Sequence, residues 1–191
     1  IPTPVLTTPA NSSLTPNFTP LLKWTVVTMP AGSAPFAYYQ LQLDDANDFN
    51  TPVIDDTTLT TRTISQFQIS SPLTPNKTYF WRVRVVDQLV VGGVNETSPW
   101  SPVWSFRTAY TPPTLISPVT GFQTFSLRPT FDWNDVAETG VTGYTIQISN
   151  TSLFTAVLHT GNPTASTYTP TVDLPKGLLY WRVQTKGPNG P

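Results

Sequence analysis

The chain has 191 residues with 21 Pro, 10 Gly, 6 Trp, no Cys and one His, and ten Lys plus Arg against eleven Asp plus Glu give a net charge of -1. Without Cys it forms no disulfide, thiolate nucleophile or Cys-based metal site, and one His cannot build a multi-His site. Charged residues are 11% of the chain, against about 25% in an average domain. We therefore expect no cofactor, no metal and no nucleic-acid partner, and no apolar stretch approaches the roughly 20 residues of a membrane-spanning helix.

In chain order, the predicted elements occur twice. The blocks 4–9, 20–24, 39–43 and 80–83 recur as 113–118, 129–133, 144–148 and 180–183. Phe49 and Phe154 follow the third block at the same distance in both copies. The spacing between copies shortens only between blocks, which is how loops vary between strands of one fold. Two domains are predicted, over residues 1–109 and 110–191.

Within the blocks the hydrophobic period is two. Tyr39, Leu41 and Leu43 alternate with Gln40 and Gln42, which is typical of a half-buried strand. Clusters of Pro, Gly and Asn interrupt the chain too often for long helices. The sequence predicts an all-β protein of two β-sandwiches.

Both copies resemble fibronectin type III domains, of the kind found in tandem on bacterial secreted and cell-surface proteins. The shared features are Trp24 and Trp133 on the second strand, Tyr39 and Tyr144 on the third, and a sixth strand over residues 78–85. The first copy adds a seventh strand over residues 98–108. The resemblance implies two tandem immunoglobulin-like sandwiches and an extracellular location, but this fold carries many unrelated functions.

A row of arginines and tryptophans is predicted on the outer face of the first sandwich. Arg82 and Arg84 alternate with the core residues of the sixth strand, and Trp100 and Trp104 share one parity on the next. Stacking of these side chains would resemble the Trp-Arg ladder of cytokine-receptor domains, with contacts of about 0.5–2 kcal/mol each. The two interpretations are a structural ladder and an aromatic ligand-binding strip.

The second copy has no counterpart to residues 100–108. Its sixth strand is followed only by a Gly- and Pro-containing loop, so this strand is predicted to have an open edge for partner pairing. The strand residues are Tyr180, Trp181, Arg182, Val183 and Gln184. Three explanations stay open: a fragment of a longer array, completion by a strand from a neighbouring molecule as in donor-strand surface fibres, or a self-sufficient six-stranded domain.

The other polar motifs are weaker. Five Asn-x-Ser/Thr triplets give possible N-glycosylation sites, and these are Asn11, Asn17, Asn76, Asn95 and Asn150. The acidic residues 44–48 fit a polar turn better than a calcium loop, because they lack the alternating ligand spacing. Asp55 and Asp56 are expected to point to opposite faces, and His159 is expected to be solvated or to cap an element.

These patterns favour a non-enzymatic, extracellular structural or adhesive repeat protein. We expect a component of a cell-surface fibre, sheath or adhesin stalk, with a Pro-Pro linker at residues 109–113 that stiffens the interdomain joint. Expected partners are protein, through self-association or neighbouring domains of a longer chain, and glycans. The alternative is a ligand- or carbohydrate-binding accessory module of a secreted enzyme, and covered tryptophans would count against it.

Overall fold

The computed structural model describes residues 1–88 and 95–191, which form fourteen β-strands. Contacts between Cα atoms divide the chain into Ile1–Ala109 and Tyr110–Pro191. In the described part of the chain, no helix is long and apolar enough to cross a membrane. The predicted fold class, all-β with two immunoglobulin-like sandwiches, is confirmed.

The first unit contains eight strands in two sheets. They are β1 (Leu6–Thr8), β2 (Ser13–Thr15), β3 (Leu21–Trp24), β4 (Phe36–Asp44), β5 (Ile54–Leu59), β6 (Gln66–Gln68), β7 (Thr78–Asp87) and β8 (Trp104–Thr108). One sheet has the order β1-β3-β6 and the other β2-β8-β7-β4-β5. Neighbouring strands are antiparallel, except that β2 and β8 are parallel.

The core of the first unit follows from the alternation along β4 and β7. Leu41 lies opposite Val83 and Leu43 opposite Trp81, and all four side chains are fully buried. From the other sheet, Trp24 packs edge-on against the Tyr39 ring at 5.2 Å between centroids. Residues of the opposite parity on β4 and β7 therefore project from the outer face of the five-stranded sheet.

The Tyr39 hydroxyl closes this core. It accepts the Val27 N–H at 3.1 Å and donates to the Arg62 carbonyl at 3.0 Å. The equivalent Tyr144 hydroxyl of the second unit accepts the Val136 N–H at 3.0 Å. Both tyrosines thus satisfy a backbone donor that would otherwise lose its hydrogen bond on burial.

The second unit contains six strands. They are β9 (Leu115–Ser117), β10 (Phe131–Trp133), β11 (Gly143–Ser149), β12 (Val157–Gly161), β13 (Thr167–Tyr168) and β14 (Tyr180–Lys186). Its sheets have the orders β13-β10-β9 and β12-β11-β14. Trp133 packs against Tyr144 at 5.4 Å, as Trp24 does against Tyr39. Among its described strands none takes the place that β8 has in the first unit.

Candidate functional site

Two features could carry function: the arginine-aromatic ladder on the outer face of the first unit and the free edge of β14 in the second. In the ladder, the Arg82 guanidinium lies 4.1 Å from the centroid of the Phe49 ring and 4.3 Å from that of Trp100. The Arg84 guanidinium lies 4.5 Å from the Trp100 centroid. Both cations are within the range in which a ring quadrupole attracts them.

Glutamines on the neighbouring strand fix both arginines. Gln42 Oε1 accepts hydrogen bonds from Arg82 Nε and Nη2 at 2.9 and 2.7 Å, and Gln40 Oε1 accepts one from Arg84 Nε at 2.8 Å. Asp55 on β5 orients these amides, because its two oxygens accept from Gln40 Nε2 at 2.7 Å and Gln42 Nε2 at 2.9 Å. The chain of bonds therefore crosses β5, β4 and β7 before it reaches the Trp100 ring.

The electrostatics of Arg82 match this crowded position. Partial burial lowers the pKa of Arg82, the adjacent charge of Arg84 acts in the same direction, and Asp55 opposes them. An arginine keeps its charge near neutral pH even so. The ladder is therefore a permanently cationic, internally bonded array.

The second unit repeats a shorter form of the ladder. Arg182 lies 4.2 Å from the Phe154 ring centroid, and its Nε and Nη2 donate to Gln147 Oε1 at 2.9 and 2.7 Å. Phe49 and Phe154 both have the uncommon positive φ, at 54° and 53°. The sequence did not predict these phenylalanines as part of the ladder. The signal for them was their equal distance from the end of β4 in one copy and of β11 in the other.

The prediction that Trp104 belongs to the ladder is wrong. Trp104 packs edge-on against the buried Trp81, at 6.5 Å between centroids, and so lies on the core side of its sheet. The predicted parity fails because the segment before β8 is not a regular strand. The Ser98 N–H donates to the carbonyl of residue 85, and the Ser101 N–H donates to that of residue 83. The segment before β8 therefore advances three residues for every two residues of β7.

The same three-residue step explains why Trp100 reaches the arginines. Three residues per step is the period of an extended polyproline II segment, and this stretch contains Pro99 and Pro102. The hydroxyls of Ser98 and Ser101 also accept the N–H groups of β7 residues 85 and 83, at 3.0 and 3.1 Å. These bonds satisfy the β7 backbone and leave Trp100 on the outer face.

The titratable groups singled out in the sequence have structural partners. Asp56 accepts the N–H and hydroxyl of Thr58 at 3.0 and 3.1 Å. The expectation for His159 is wrong: its ring stacks on Tyr168, and its Nε2 lies 2.7 Å from the Tyr168 hydroxyl. Across residues 1–88 and 95–191, no group of three His, Cys, Asp or Glu side chains could hold a metal ion.

The acidic segment after β4 forms a turn. Asp44 is fully buried, and its Oδ1 accepts the N–H groups of Asp45 and Ala46 at 2.7 and 3.3 Å. Asp45 pairs with Lys77, and this hydrogen bond raises the pKa of the Lys77 amine above its ordinary value. The segment therefore forms a turn that is held by its own backbone N–H groups and by the pair with Lys77.

The five sequon asparagines differ in accessibility. Asn11, Asn17, Asn95 and Asn150 are exposed, whereas Asn76 is half-buried. Asn76 Oδ1 also accepts a hydrogen bond from Arg107 Nη1 at 2.9 Å. N-glycosylation stays a prediction, and the structure makes Asn76 the least accessible of the five acceptors.

The second candidate site is the edge of β14. This strand pairs with β11 from Tyr180 to Lys186, and no described strand pairs with its other side. Arg182 projects outward with the short ladder, and Val183 is buried. Trp181, whose counterpart Trp81 is fully buried, is only half-buried.

The comparisons with known proteins identify the domain type. Residues 10–111 match the family model of the Rha78A-like, N-terminal immunoglobulin domain. This is more than half of the chain, so the chain belongs to that family, and the predicted resemblance to immunoglobulin-like sandwiches of the fibronectin type III kind is confirmed. No curated protein matches. One similar solved structure is that of the FN1–FN3 domains of chicken CNTN1, with 14% identity and a TM-score of 0.44; the match covers 99% of this chain but only 63% of that one.

Proposed function

We propose that this chain is a non-catalytic structural module of an exported protein, serving in a cell-surface fibre, sheath or adhesin stalk. The observation that carries the proposal is the Trp100 ring, over which both Arg82 and Arg84 lie. A sugar or an aromatic ligand stacks on a free ring face, whereas these cations occupy that position and are themselves held by Gln42 and Gln40. The Trp100 ring is thus engaged in contacts that support the fold.

Further support comes from the hydrogen bonds of the titratable side chains among the described residues. Several acidic side chains and the histidine are bonded to groups of their own unit, as Asp55 is to two glutamines and His159 to Tyr168. Domains with this sandwich architecture are common on cell surfaces and typically non-catalytic. A structural role requires only that the sandwiches stay folded and soluble.

A second candidate function is that of an accessory module in a larger protein. The family description favours it, because it specifies an immunoglobulin domain at the N-terminal position. In this alternative the sandwiches would bind a carbohydrate or other ligand, or position a following domain.

Ligand binding and surface location can be tested separately. Affinity electrophoresis of the chain through gels containing soluble polysaccharides should show no retardation, and immunogold labelling of intact source cells should place the protein on the outside. Retardation that disappears in a Trp100→Ala variant, while Val103→Ala still shows it, would favour the accessory module. Val103 is the matched control because it is exposed and outside the ladder. Labelling confined to the cell interior would refute the surface role.

A further inference from the structure

The two units show the same sheet edge in two forms. In the first unit β8 lies beside β7, with Phe106 opposite Tyr79 and Trp104 opposite Trp81. The Phe106 ring stacks on Tyr79 at 6.0 Å, and both are buried. On its other side β8 pairs in parallel with β2. The pairing of β8 with β7 therefore shows what kind of segment binds such an edge.

The matching surface of the second unit is apolar and accessible. Leu179 and Trp181 correspond to the core-facing Tyr79 and Trp81 of β7, and both are half-buried instead of buried. Leu178, beside them, is 72% exposed. Large side chains at such positions lose contact with water when a strand pairs with the edge, and each one that becomes buried stabilises the pairing.

The segment of the second unit that corresponds to β2 also carries exposed apolar side chains. Residues 122–124 match Ser13–Thr15 at the repeat spacing of this part of the chain, and the residue before each has a positive φ, 59° at Ser12 and 80° at Gly121. In this segment Phe122 is 56% exposed, and Phe125 after it is fully exposed. In the second unit, the counterparts of both elements that flank β8 therefore have apolar side chains in contact with solvent.

The backbone groups of β14 have the polarity that an added strand needs. In the first unit the N–H and C=O groups of Val83 and Val85 point toward the β8 side, where they bond Ser101 and Ser98. Their counterparts are those of Val183 and Thr185, because the two strands have the same alternation. A sheet edge with such groups binds extended peptides through main-chain hydrogen bonds.

We propose that the edge of β14 binds an extended strand of a different protein molecule, running antiparallel to β14 and parallel to residues 122–124. The strand carries large apolar side chains at two alternating positions, which cover Leu179 and Trp181 as Phe106 and Trp104 cover Tyr79 and Trp81. Its other side chains are polar, like Ser105 and Arg107 of β8. This site is distinct from the ladder on which the proposed structural function rests.

The test uses the whole chain and a dye-labelled synthetic peptide with the sequence of residues 101–110. Fluorescence anisotropy should show saturable binding. A peptide carrying both Trp104→Ser and Phe106→Ser should bind at least tenfold more weakly, because it keeps the backbone and loses the two apolar side chains. Hydrogen exchange with mass spectrometry should then show slower exchange in β14 on addition of the first peptide.

Two chain variants locate the site. Leu179→Asp should weaken peptide binding at least tenfold, whereas Leu158→Asp should leave it unchanged. Leu158 is the matched control, since it is an exposed leucine on β12, at the opposite edge of the same sheet. Unchanged hydrogen exchange in β10 and β11 verifies that each variant is folded.

Three results would overturn the proposal. The first is no saturable binding, and the second is equal binding of the two peptides or equal loss in the two chain variants. The third is a dimer by light scattering in which β14 is protected as the chain concentration rises, because the occupant would then be a second copy of this chain.

Discussion

The two ladders provide a matched pair of substitutions, Arg82→Met and Arg182→Met. Methionine keeps a long unbranched stem and removes the planar cation. Arg82 contacts two rings, Phe49 at 4.1 Å and Trp100 at 4.3 Å, whereas Arg182 contacts Phe154 alone at 4.2 Å. Each arginine donates two hydrogen bonds to one glutamine, so the lost hydrogen bonds are alike and the lost ring contacts differ by one.

The expected magnitudes follow from this count. A cation-ring contact at a partly exposed site contributes about 0.5–1 kcal/mol. The two hydrogen bonds of each guanidinium end on one amide oxygen and are counted together as about 1.5 kcal/mol, the weak end of the range for a hydrogen bond to a charged group. Arg82→Met should therefore lower the free energy of unfolding of the first unit by about 2.5–3.5 kcal/mol. Arg182→Met should lower that of the second unit by at most about 2–2.5 kcal/mol, because Arg182 is exposed whereas Arg82 is half-buried.

Hydrogen exchange with mass spectrometry across a denaturant series is the appropriate assay, since it reports each unit separately when a two-domain chain unfolds in more than one step. Arg128→Met serves as the control, because Arg128 is an exposed arginine in an ion pair with Asp173. Its effect should stay within about 0.5 kcal/mol. The reasoning would be refuted if Arg182→Met cost as much as Arg82→Met, or if neither exceeded the control.

Three further predictions concern the cores and the surface. Tyr39→Phe should destabilise the first unit by about 1–3 kcal/mol in urea unfolding, because a buried N–H and a carbonyl lose their partner; Tyr144→Phe should cost the second unit less, and the reverse order would contradict this. Gly161→Ala places a Cβ 2.4 Å from the Tyr168 ring. In thermal unfolding it should lower the free energy of unfolding by about 1–3 kcal/mol, and adding Tyr168→Leu should restore much of the loss. No restoration would argue against a steric cause. Glycopeptide mapping after expression in a glycosylating host should find sugar at exposed sequons and none at Asn76, and full occupancy of Asn76 would show that its contacts do not protect it.

The strand pattern and the core were predictable because both depend on local alternation. Leu41, Leu43 and Val83 are buried as their period of two requires. The outward direction of Arg82 and Arg84 followed from the same period. A residue's parity within one regular strand is therefore enough to predict which sheet face it occupies.

The ladder's composition was less predictable because it depends on segments that are not strands. Phe49 lies in a turn with a positive φ, where no periodicity applies. Trp100 and Trp104 are separated by a stretch that advances in steps of three, so two residues of equal parity lie on opposite sides of the sheet. Only the spacing of Ser98, Ser101 and Trp104 carried a signal for that step.

Comparison of the two units separates the essential part of the ladder from its extension. Arg182, Phe154 and Gln147 recur where Arg82 and its partners lie, although the second unit has Gln184 in place of Arg84. The recurring contact joins the turn after β4 to β7 in the first unit and the turn after β11 to β14 in the second. It therefore stabilises the fold of each unit. In the first unit Trp100 extends that contact, because the guanidinium groups of Arg82 and Arg84 both lie over its ring. These contacts support a structural role for the whole ladder.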